Sequence, residues 1–96
     1  MSPGYIDSKT PLLKRMRRIE GQTRGIEKMI AENKYCIDIL NQIAAARMAL
    51  DKVAIHIVNE HITHCVQEAF NAGDKEEINA KTTELMEVID RFIKNR

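Results

Sequence analysis

Tryptophan is absent from the 96 residues, and two Phe and two Tyr are the only aromatic side chains. That poverty suits helices with Leu, Ile and Ala seams better than a β-sandwich. Long apolar runs are missing too. No stretch approaches ~18 consecutive apolar residues, and the N-terminus lacks a basic-then-apolar leader, so a soluble, cytoplasmic protein without a membrane partner is expected. Cysteine is limited to Cys36 and Cys65. In a reducing compartment such a pair is read as free thiols or metal ligands rather than a disulfide. There is no Gly-rich phosphate loop and no polar constellation beyond one thiol-imidazole group, so an enzyme is not expected. Internal repeats and low-complexity segments are also lacking.

What is present reads as a single small domain over residues 1–96, of a size that gains from oligomerisation. Residues 1–9 have no periodicity and read as a flexible tail. Thr10 and Pro11 read as N-cap and first helical residue. Leu12, Met16, Ile19, Thr23, Ile26 and Ile30 then recur every three or four positions, predicting an amphipathic helix over about 10–32 that ends at "AENK". Gly21 and Gly25 weaken it but would permit close packing. From Tyr35 to Ala72 there is neither Gly nor Pro, so one long helix is predicted over about 35–72, stopped near Gly73. Asp74 and Glu77 make a capping box for a third helix over about 74–94, marked by Ile78, Leu85, Val88, Ile89 and Phe92.

The net charge is only +1, but it is unevenly spread. Residues 1–35 hold eight Lys/Arg against four acids, densest in "KRMRR", whereas the last third is acidic. Lys14, Arg15, Arg17, Arg18 and Arg24 form either a solvated helix face or a phosphate-binding patch, and their density favours phosphate. No helix pair joined by a short Gly-containing turn is apparent, so a recognition helix in a groove is not indicated.

The remaining signal is "NEHITHC", residues 59–65. A regular helix turns ~100° and rises ~1.5 Å per residue, so Cys36, His61 and Cys65 return to one stripe within ~20°. Leu40, Ile43, Leu50, Ala54 and Ile57 lie between them at alternating spacings of four and three, a heptad-like seam interrupted by Arg47. Yet Cys36 and His61 are ~37 Å apart along a straight helix and cannot meet within one chain. Antiparallel two-fold pairing of two such helices would set Cys36 of one subunit opposite the partner subunit's His61 and Cys65, giving two equivalent sites per dimer. Two thiolates and one imidazole suit Cu(I) or another soft ion, and structural zinc would want a fourth ligand such as His64. Taken singly, Cys36 reads as a small apolar residue, His61 as a hydrogen-bonded seam histidine and His64 as a solvated neighbour. His56 points ~140° from His61 and reads as surface or a second interface.

With these residues in place, "LLKRMRRIEGQTRGIEKMI", "YCIDILNQIAAARMALDKVA" and "NEHITHC" resemble the CsoR/RcnR/FrmR family of bacterial metal- and stress-sensing transcriptional repressors, over about Lys9 to Lys94. Cys36, His61 and Cys65 match the pattern of its copper(I)-sensing branch. The resemblance implies an all-α, three-helix subunit, a dimer forming an antiparallel four-helix bundle, and a homotetramer made as a dimer of dimers. It implies that the metal-free protein binds operator DNA, and that Cu(I) releases it to derepress copper export or storage genes. By position, Arg15 and Lys52 match DNA-contacting residues, and Tyr35 and Glu84 match partners of the metal-bound histidine.

Other branches fit less well. Nickel/cobalt sensors resemble a His–Cys–His–His set with an N-terminal histidine, which this tail lacks. Nickel sensors that keep Cys–His–Cys add a histidine in the first helix, and this one has none. Persulfide sensors lack the histidine, and formaldehyde sensors lack the second cysteine. Sensing of nickel, zinc, persulfide or an oxidant remains the alternative within the family. Outside it, the alternative is a helical metal-buffering protein that never binds DNA, which the basic cluster around Arg15 speaks against.

Overall fold

The structure is a computed structural model that describes residues 3–94; Met1 and Ser2 of the expected tail lie outside the described residues. Every element among the described residues is helical: a 3₁₀ turn over Ile6–Ser8, α1 over Lys9–Ala31, α2 over Cys36–Glu60, a π-helical segment over His61–Val66, α3 over Gln67–Asn71 and α4 over Lys75–Lys94. Since α2, the π-helical segment and α3 follow without a break, the chain has three helical runs, as the all-α, three-helix expectation requires.

Where the helices start and stop follows local chemistry, with one correction at the start. Thr10 is not the N-cap of α1. The helix begins at Lys9 with Ser8 in that role, and Pro11 falls within the first turn. A proline there costs nothing, because the first-turn N–H groups have no intrahelical acceptor. The residues before the helix are not free of structure either: Ile6–Ser8 wind a 3₁₀ turn, and the Ile6 N–H donates to the Pro3 carbonyl at 3.2 Å. At the far end Asn33 takes the left-handed conformation (φ 58°). Its N–H donates to the Ile30 carbonyl and that of Lys34 to the Met29 carbonyl, the paired bonds of a Schellman cap. Gly73 (φ 72°) ends the second run, also in the left-handed conformation, its N–H donating to the Phe70 carbonyl. For α4 the Asp74 Oδ1 accepts the Glu77 N–H at 3.1 Å, as expected of an N-cap, while the Glu77 carboxylate faces Lys81 at 3.7 Å.

Packing divides the described residues into two compact units, one comprising residues 7–56 and the other residues 3–6 together with 57–94. In the 7–56 unit α1 and α2 form a helical hairpin. Its core is Leu12, Ile19 and Val53, with Met16 and Ala49 packed against them. In the other unit the π-helical segment and α3 pack on α4, with Cys65 and Ala69 buried.

These cores are small for the apolar residues available. The α2 seam is left uncovered within the chain: Leu40 is 56% exposed and Leu50 44%. An apolar stripe of this length is the surface that helix pairing removes from water. Gly21 and Gly25 do not mediate close packing within the chain, since a Cβ at Gly25 would meet nothing within 4 Å and one at Gly21 only the Arg24 guanidinium at 3.9 Å.

Candidate functional site

Cys36 opens α2 and is exposed, whereas Cys65 is buried in the π-helical segment. The whole of α2 separates Cys36 from His61, the first residue of that segment. Accordingly, no three of the described His, Cys, Asp and Glu side chains are grouped to hold a metal within one chain. His61 and Cys65 do come together, lining one cavity of about 440 Å³ with Ile57, Val58, Glu84, Leu85 and Val88. A thiol and an imidazole on one wall are two of the three groups of the expected soft-metal ligand set.

The winding of this wall corrects the expectation of an unbroken α-helix. His61–Val66 closes i→i+5 rings, so each turn is wider than an α-turn. The stripe argument holds as far as Glu60 and then changes phase, so Cys65 does not follow the α-helical projection from Cys36. Within the wider turn His61 and Cys65, four residues apart, still share a face, as their common cavity shows. Such segments occur often at functional sites. The segment's β-branched residues Ile62, Thr63 and Val66 do not by themselves mark the change, since Val53, Ile55, Ile57 and Val58 wind as regular α-helix just before it.

Three neighbours shape the half-site. Glu84, on α4, lines the cavity with His61. His64 turns to Glu60, with Nε2 at 3.0 Å from Oε2, so its imidazole is engaged one turn back along the helix. Pro3, Gly4 and Tyr5 close one side of the cavity, a role that a reading of the tail as flexible could not foresee. Gly4 is required there by close approach: a Cβ would lie 2.6 Å from the Glu60 carbonyl oxygen and 3.2 Å from the Cys65 Sγ. Gly4→Ala is therefore expected to lift this segment at a cost of ~1–3 kcal/mol, the usual range for overpacking. In a Cys36→Ser background Cys65 should then be alkylated faster than in the Gly4 parent, and equal rates would show that the segment does not cover it. Tyr35, by contrast, is 68% exposed beside Cys36, and His56 is half-buried in α2 and does not line the cavity.

The basic residues sort by face. Arg15, Arg18 and Lys52 line one groove between α1 and α2, together with Ile19, Gln22, Ala45, Met48 and Ala49. Lys14 and Arg17 are exposed on α1 but do not line it. Arg24 faces Glu20 at 3.9 Å, which offsets its charge locally.

Residues 8–91 match the family described as metal-sensitive transcriptional repressors. A relative from Mycobacterium tuberculosis, the copper-sensing transcriptional repressor RicR, is 51% identical over 70 residues, 73% of each chain. Among solved structures, the copper-sensing repressor CsoR with Cu(I) from Geobacillus thermodenitrificans superposes with a TM-score of 0.84 at 42% identity, covering 97% of this chain and 94% of the other. The nickel-responsive transcriptional regulator InrS superposes at 0.72 with 41% identity, covering 86% and 90%.

Proposed function

Because the chain belongs to the metal-sensitive transcriptional repressors, we propose that it is a copper(I)-responsive member that represses as a homotetramer assembled from antiparallel dimers. In this reading the metal-free tetramer binds operator DNA, and Cu(I) binding releases it so that copper export or storage genes are expressed. The observation that carries the reading is the split ligand set. His61 and Cys65 share a cavity, Cys36 stands at the other end of α2, and the seam between them, apolar apart from Arg47, leaves Leu40, Ile43, Leu50 and Ile57 exposed. Pairing two α2 helices antiparallel buries that seam and brings the thiolate of Cys36 to the partner's half-site.

Two thiolates and an imidazole fit a soft monovalent ion that accepts low coordination. His61 and Cys65 are held by the π-helical turn, and Glu84 is the carboxylate in the cavity that would accept from the second imidazole nitrogen and fix its tautomer. Arg15, Arg18 and Lys52 supply phosphate-binding charge in one groove, with Lys14 and Arg17 adding to the field of α1. The similarity to a nickel-responsive regulator favours nickel as a second reading.

Anaerobic DNA binding separates the readings. The probe is a duplex enriched by the metal-free protein from a random-sequence pool. Cu(I) is expected to lower its affinity by one to two orders of magnitude, in line with the ~5–150-fold range of allosteric coupling. Ni(II), Zn(II) and a persulfide donor should have far smaller effects. Release by Ni(II) but not by Cu(I) would assign the protein to nickel, and failure to enrich any duplex would exclude a repressor.

A further inference from the structure

The basic groove has an uncharged end that the electrostatic reading leaves unexplained. Its α1 wall is Arg15, Arg18, Ile19 and Gln22, and its α2 wall is Ala45, Met48, Ala49 and Lys52. Both sets run i, i+3, i+4, i+7, one stripe of each helix. Ile19, buried, and Ala49, half-buried, belong to the hairpin core and form the floor. Because the two helices of a hairpin run antiparallel, Lys52 lies toward Arg15, whereas Ala45 lies toward Gln22. The groove, of about 330 Å³, is therefore cationic at one end and neutral at the other, with no acidic side chain among its described lining residues.

Two further features mark the neutral end. Met48 is 64% exposed, although Ile19 on the floor is buried and Ala49 half-buried. Gln22 is exposed, and its side chain carries a donor and an acceptor at the rim. Lys52 lies ~160° around α2 from Leu50, so helix pairing along the seam leaves this groove open.

We propose that the groove seats one stretch of DNA sugar–phosphate backbone, with phosphate at the Arg15–Arg18–Lys52 end, deoxyribose packed on Met48, and the Gln22 amide hydrogen-bonded to the adjoining phosphate oxygen. The proposal rests on the repressor reading and adds Gln22 and Met48 to the DNA interface. Charge complementarity selects the occupant. Three cations beside an apolar shelf match a polyanion whose sugars present carbon between the phosphates. The amide adds a hydrogen bond that, unlike those of arginine and lysine, releases no counterion.

That difference provides the test. Binding of the metal-free full-length protein to the enriched duplex is measured by fluorescence anisotropy across a range of salt concentrations. Arg18→Ala and Lys52→Ala should each flatten the slope of log affinity against log salt by about 0.9. Gln22→Ala should lower affinity by ~3- to 10-fold, as for a neutral hydrogen bond, with a line parallel to wild type. Met48→Ser should also give a parallel, lowered line. Gln22→Glu keeps the side-chain size and places a negative charge against the phosphate, so it should weaken binding more than Gln22→Ala does. All four side chains are exposed, and circular dichroism with sedimentation checks that each variant keeps its fold and assembly. If the arginine and lysine variants flatten the slope while Gln22→Ala, Gln22→Glu and Met48→Ser bind as wild type, the added contacts are wrong and the repressor reading stands. If no variant alters either the slope or the affinity, DNA does not occupy this groove.

Discussion

Mixing Cys36→Ala and Cys65→Ala subunits is expected to restore a metal site that neither variant forms alone. Each variant homodimer would lack one thiolate at both of its sites, so tight Cu(I) binding should be lost entirely. In the mixed dimer one site is built from the Cys65→Ala subunit's intact Cys36 and the Cys36→Ala subunit's intact His61 and Cys65; the other has lost both thiolates. The expected stoichiometry is one Cu(I) per mixed dimer against two for wild type, read anaerobically with a competing chelator. The physical basis is the length of α2, which runs helical from Cys36 to Glu60, before His61. At a rise of ~1.5 Å per residue, no rotamer change closes that distance within one chain. Absence of binding by the mixed dimer, with wild type binding normally, would place the ligands differently.

The second large effect is expected at His61, where metal affinity and signalling should separate. Two thiolates can hold Cu(I) without the imidazole, so His61→Ala should keep appreciable Cu(I) affinity while losing most of the Cu(I)-driven fall in DNA affinity. Coupling between two sites comes only from contacts that differ between the two states of the protein. His61 is placed to make such a contact. It begins the π-helical segment, which packs on α4, and it shares its cavity with Glu84 of that helix. A ligand at the imidazole therefore bears on two elements at once, whereas Cys36 sits on the first turn of α2, exposed. Titrating Cu(I) into His61→Ala with and without DNA checks this. A variant that binds Cu(I) and still releases DNA as wild type does would assign the coupling to the cysteines alone.

Much of the chain was legible in residue order because the relevant physics is local. The 3.6-residue periodicity of Leu12, Met16 and Ile19 located α1, and two of these three became its buried positions. Asp74 capped α4 as its side chain permits, and Gly73 ended the preceding run. Cysteine and histidine, the residue types that suit a soft ion, were visible by type, and the shared face of His61 and Cys65 by spacing. The N-cap of α1 was misplaced by two residues, Thr10 for Ser8, because Ser8, although its side chain makes no capping bond, is the last residue of a 3₁₀ turn that feeds directly into the helix. Nothing in the order Thr10-Pro11 reports on that turn.

The sequence alone therefore determined where the three long helical runs lie, which of their faces are apolar and which side chains have the chemistry for a soft ion or a phosphate, because propensity, capping and donor chemistry act within a few residues. Tertiary structure decided the rest. The change of winding at His61–Val66 accompanies packing on α4 and the approach of Gly4 to the Glu60 carbonyl, contacts made by residues distant in the chain. The basic groove likewise exists only because the stripe of Arg15, Arg18 and Gln22 lies beside that of Ala45, Met48 and Lys52. Periodicity gives the face of each helix, but which two faces meet depends on the close packing of Leu12, Ile19 and Val53, a match of side-chain shapes that no local pattern encodes.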